Sequence, residues 1–159
     1  MSERSERVLR IILSSLVLAT LAFIFTNSAL PKNESSELSH SVGGFLARIF
    51  PPESLLGGFL QEHLRKIAHF AEYGLLGAEL SLYSLLFVQN KKRAYISLPI
   101  IALTVAFLDE SVQMLSGRGP AILDVWIDLF GFLTAVLVIF TAALLSMRIR
   151  SSKRKTRED

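Results

Sequence analysis

The chain of 159 residues has no cysteine, a single tryptophan and five prolines. Without a thiol there is no disulfide scaffold, no thiolate-held metal, no cysteine nucleophile and no thiol redox chemistry. Other catalytic signatures are missing too. There is no His-Glu-x-x-His zinc motif, no glycine-rich phosphate loop and no Gly-x-Ser-x-Gly elbow. Internal repeats and low-complexity tracts are also absent. What the chain has in quantity is apolar residues, which make up 51% of it, with a mean hydropathy of +0.46. That balance points to a membrane, and the length suits one domain. The net charge of +3 is not a nucleic-acid signature, because Lys and Arg gather at the edges of apolar runs, where topology signals belong.

Four apolar stretches approach the roughly 20 residues that a helix needs to cross a bilayer. They predict an all-α integral membrane bundle of four transmembrane helices, at 8–26, 67–88, 94–115 and 121–145. Arg4, Arg7 and Arg10 precede the first, which is also how a signal peptide begins. Asn27-Ser28-Ala29 is a poor cleavage site, so the stretch reads as an anchor. Lys and Arg number twelve on the side of the termini and of Lys91-Lys92-Arg93, against five on the other side. The expectation is a multi-pass protein of the bacterial cytoplasmic membrane with both termini cytoplasmic, ending in a basic tail at 148–159. The loop 27–66 is then extracytoplasmic. It holds Pro31, Pro51 and Pro52, and its Leu55, Leu56, Phe59, Leu60 and Leu64 recur at helical spacing. A short amphipathic segment is expected there, lying in the interface or capping the bundle.

Charged residues inside such stretches cost about 2.5–3.5 kcal/mol each on insertion scales, so they face a bundle interior and mark candidate sites. Lys66, His69 and Tyr73 share a helix face, with Glu72 and Glu79 on a neighbouring stripe. Asp109, Glu110 and Gln113 lie within one turn near the end of the third stretch. Asp124, Asp128, Gly131 and Ala135 follow at i, i+4, i+7 and i+11, two carboxyls leading into a strip of small residues that suits close helix approach. Glu79, near the midplane by position, needs a proton or a partner. The expected topology brings the polar groups together in the outer leaflet, with Arg118 in the turn Ser116–Pro120. Lys66, His69 and Arg118 would offset Asp109, Glu110 and Asp124 there. For each of these residues a latch that fixes helix register is the structural alternative to ligand contact.

In order and spacing, Lys66-x-x-His69-x-x-x-Tyr73, then Glu110-x-x-Gln113, Arg118, Asp124, Asp128 and Gly131 resemble the VanZ-like family of small bacterial membrane proteins. The resemblance covers about 65–135. Asp128 stands where that family often has Asn, and Ala135 where a second Gly often follows. The resemblance implies a cell-envelope role and a ligand site at Lys66, His69, Tyr73, Glu110, Gln113, Arg118, Asp124 and Asp128. The founding member of the family lowers susceptibility to teicoplanin, a lipidated glycopeptide, so the implied ligand is a polar lipid headgroup, a lipid-linked cell-wall precursor or a lipoglycopeptide. Two other readings stay open. One is an enzyme acting on a lipid-linked phosphate, with Asp109, Glu110 or Asp124 as catalytic candidates. The other is a structural or partner-binding protein. The sequence assigns no cofactor and no metal.

Overall fold

The computed structural model describes residues 2–117 and 121–158, and among them every regular element is a helix. The five are α1 (Glu3–Ala29), α2 (Lys32–Ile49), α3 (Leu55–Phe87), α4 (Lys91–Leu115) and α5 (Ile122–Glu158). Their starts follow local chemistry. The Ser2 hydroxyl accepts from the Ser5 N–H, the Ser54 hydroxyl from Gly57 N–H at 3.0 Å and the Asn90 side chain from Arg93 N–H at 3.1 Å, each satisfying a donor of a first turn. Pro31 precedes α2, and Pro51-Pro52 fall in the connector between α2 and α3, where a missing N–H does no harm.

Three helices are long and apolar enough to cross a membrane: Glu3–Ala29, Lys92–Leu115 and Ile122–Ile149. They coincide with three of the four expected spans. The stretch 67–88 does not stand out as a fourth, because His69, Glu72, Glu79, Ser81 and Ser84 dilute its apolar run. Those residues sit on α3, the helix in contact with all four others, and its polar face meets protein while Leu75, Leu82 and Leu86 stay exposed, like apolar side chains of the other helices. Leu18, Ile96 and Leu137 are each two-thirds exposed. An apolar outer surface of this kind suits acyl chains.

The region 27–66 is mostly helical, formed by α2 and by the first turns of α3. No break separates the expected amphipathic segment from the stretch after it. Beyond Gly57 and Gly58 in the first turn, the chain from Phe59 to Ala68 has good helix formers and no proline, so the helix runs on. The basic tail likewise continues α5 as far as Glu158.

The most extensive packing is between α3 and α5. A Cβ added to Gly77 would lie 2.5 Å from the Phe132 carbonyl oxygen, and one added to Gly131 would collide with the backbone of Phe70. The two helices therefore touch backbone to backbone, which only glycine allows. Tyr73, Leu76, Val125 and Phe132 flank the crossing, and Ile24, Leu98, Ala102, Val105, Ala106 and Phe140 complete the core.

Candidate functional site

The polar residues of α3, α4 and α5 converge at one end of the bundle, joined by the end of α1. Asp109 and Asp128 are both fully buried, on α4 and α5. Between them stands His69 of α3, its Nδ1 atom 3.1 Å from Asp128 Oδ1 and 3.9 Å from Asp109 Oδ2. Asp109 is fixed from two further sides. The Ser28 hydroxyl donates to its Oδ1 atom, and Gln113 Nε2 donates to Oδ2 at 3.1 Å. Ser116 lies 2.9 Å from the carbonyl oxygens of both Ser28 and Gln113, tying the end of α1 to the end of α4. A carboxylate taken out of water needs such partners, since an unpaired one costs several kcal/mol.

Arg65 closes the network from outside. Its Nη2 group donates to Gln113 Oε1 at 2.6 Å and reaches Asp124 Oδ2 at 3.4 Å. Arg65 lies one turn before His69 and shares its face, whereas Lys66 is exposed and makes none of these contacts. The cation that enters the cluster is thus the neighbour of the one expected. Arg118 lies outside the described residues. Glu110 accepts the Ala121 N–H at 2.9 Å, so its charge serves the start of α5, where a carboxylate is favoured by the helix dipole. Tyr73 is fully buried next to the same carboxylates, and among the described residues its hydroxyl has no hydrogen-bond partner; nor have Asp128 Oδ2 and Glu110 Oε1.

Lys66, His69, Tyr73, Glu110, Gln113, Asp124 and Asp128 therefore do not form one open wall. His69, Tyr73, Glu110, Gln113 and Asp128 are buried, Asp124 is partly exposed and Lys66 points away. Among the described residues, Arg65 and His69 are the basic groups that meet Asp109, Asp124 and Asp128; the expected balance also counts Arg118, which lies outside them.

The open part of the site lies on the other side of His69. A cavity of about 220 Å³ sits between α1, α2 and α3. Arg65, His69 and Glu72 give it a polar wall, continued by Asn27 and Ser28 of α1 and by Ser35 and Ser39 of α2. Phe23, Leu30, Val42 and Leu64 supply apolar surface. Asn27 Nδ2 donates to Glu72 Oε1 at 3.0 Å, holding that carboxylate at the rim. Asp109, Glu110 and Asp124, the catalytic candidates, are not among the lining residues.

Sequence reasoning missed the contribution of the first helix. Thr20 Oγ1 donates to Glu79 Oε1 at 3.0 Å, providing the partner that an acid near the midplane needs. Thr20, Ile24 and Ser28, spaced four apart, continue the buried stripe of α1 that begins at Leu13. That spacing, together with Asn27 and Ser28 closing an apolar run, was the available signal.

No curated protein and no solved structure matches the chain. A family model described as VanZ/LLP1 matches residues 11–145, which takes in the end of α1, the cavity and the whole buried network. The chain belongs to the VanZ-like family of membrane proteins.

Proposed function

We propose that this is a cell-envelope protein that binds the polar head of an amphiphile in the cavity between α1, α2 and α3. The observation that carries the reading is the two-sided lining. Arg65 and Glu72 offer opposite charges a short way apart, Asn27 and Ser39 offer neutral hydrogen-bonding groups, and Phe23 and Val42 extend the wall as exposed apolar surface. A head of mixed polarity attached to an acyl chain meets all three kinds of surface, as a lipid-linked cell-wall precursor or a lipoglycopeptide would. A bare phosphate would meet Glu72 as repulsion.

In this reading α3 is the fourth transmembrane helix, its polar face turned to its neighbours, and the distribution of Lys and Arg supports cytoplasmic termini. The cavity then opens in the outer leaflet, where teicoplanin acts. Two experiments test this. Leu115→Cys, at an 88% exposed position of this cysteine-free chain, should react with an impermeant maleimide in intact cells, while Ser151→Cys should react only after lysis. The reverse pattern overturns the orientation. In a teicoplanin-sensitive host, the parent should confer protection, and Arg65→Ala and Glu72→Gln should remove it at unchanged protein level. Full protection by both variants overturns the pocket reading.

A further inference from the structure

The buried network contains more ligand atoms than its hydrogen bonds use. His69, Asp109 and Asp128 each present one metal-ligating atom, and these atoms all lie within 4.8 Å of one another. Bonds of about 2.0–2.2 Å place neighbouring ligands roughly 3–4 Å apart on a cation's shell. The separations of 3.1 Å and 3.9 Å from His69 Nδ1 to the two carboxylates fall within that interval.

A hydrogen-bonded latch between His69 and Asp128 is the simpler reading, and it accounts for Asp128 Oδ1. Among the described residues it leaves Asp128 Oδ2 without a partner on a fully buried side chain, and the Tyr73 hydroxyl, also fully buried and one turn from His69, in the same condition. Two buried orphan atoms beside the same carboxylates are what a cation, or water on a cation, would satisfy. The surroundings agree. Ser28 and Gln113 hold Asp109 by hydrogen bonds, the second layer that orients ligating carboxylates. His69 also lines the cavity, which provides a way in.

We propose that His69, Asp109 and Asp128 form a binding site for one divalent cation. One imidazole with two carboxylates suits the borderline ions Mn²⁺ and Zn²⁺. The ion neutralises the two buried acids, locks α3, α4 and α5 in register, and leaves coordination positions for water or a ligand oxygen. The site does not depend on the headgroup reading.

The test uses the full chain purified in detergent, freed of metal with a chelator, and titrated with Mn²⁺ by electron paramagnetic resonance and with Zn²⁺ by calorimetry. One saturable ion per chain is expected, with affinity reduced at least about tenfold in Asp128→Asn, which keeps the size of the side chain. Should that variant fail to fold, the parent decides. Pulsed resonance of its Mn²⁺ form should show the nitrogen coupling of one imidazole, and a saturated signal without nitrogen overturns the proposal. So does the absence of saturable binding, or an unchanged affinity in folded Asp128→Asn. The headgroup reading is tested by protection in cells through Arg65 and Glu72, and the cation by titration of the purified chain, so either proposal can fail alone.

Discussion

The two sides of α3 are built on opposite principles. Toward α5, Gly77 and Gly131 bring the helices into backbone contact. Toward α1 and α2, the same helix leaves a cavity of about 220 Å³ and lines it with hydrogen-bonding groups. His69 belongs to both, paired to Asp128 of α5 and facing the cavity. The difference shows how a short chain keeps a polar pocket in an apolar setting. One rigid face fixes the position of α3, and the other is free to hold a ligand.

Substitutions that attack the rigid face should have the largest effect. Asp128→Ala takes away the buried hydrogen-bond partner of His69, and breaking a buried pair in this way costs about 3–5 kcal/mol. Unfolding of the purified protein in detergent should register that loss, and an unchanged midpoint would mean that the network does not hold the helices together. Gly131→Ala comes next. Its added methyl group collides with the Phe70 backbone, and overpacking of this kind costs about 1–3 kcal/mol. Pairing it with Ala135→Gly separates close approach from propensity, because Ala135 is only partly buried.

Thr20→Val removes the donor to Glu79 while keeping the side-chain shape, so a loss of about 1.5 kcal/mol is expected from the unpaired acid. The double variant Thr20→Val with Glu79→Gln should lose less than the sum of the two singles, which a double-mutant cycle measures directly. The open face should respond least in stability and most in binding. The Arg65–Asp124 pair is nearly half exposed on the Arg65 side, so Arg65→Ala should shift unfolding by no more than about 1 kcal/mol. Lys66→Ala should stay within about 0.5 kcal/mol of the parent and retain protection. If Lys66→Ala lost protection and Arg65→Ala kept it, the cation expected from the spacing would be the functional one after all.

Much of the fold is readable from residues alone. Apolar runs of membrane length place α1, α4 and α5, and the acids near the end of α4 and the start of α5 stand out because an apolar stretch tolerates so few charges. Gly131 is recognisable as a packing position from its spacing to Asp124 and Asp128. Less of the site is readable. Lys66 and Arg65 differ by one residue, about 100° of helix rotation, and both keep a defensible spacing to His69. Ser28 and Thr20 look like ordinary members of an apolar run until Asp109 and Glu79 are seen beside them.

Composition and periodicity thus specify an α-helical membrane protein, most of its helices and the polar residues that must find partners, because the period of a helix and the cost of a buried charge act within one segment. Which charge meets which partner is a property of contacts between segments up to 81 residues apart. Only the packing of α1 and α2 against α3 creates the cavity, and only the packing of α4 and α5 on α3 sets His69 between two carboxylates, since both depend on how helix surfaces fit.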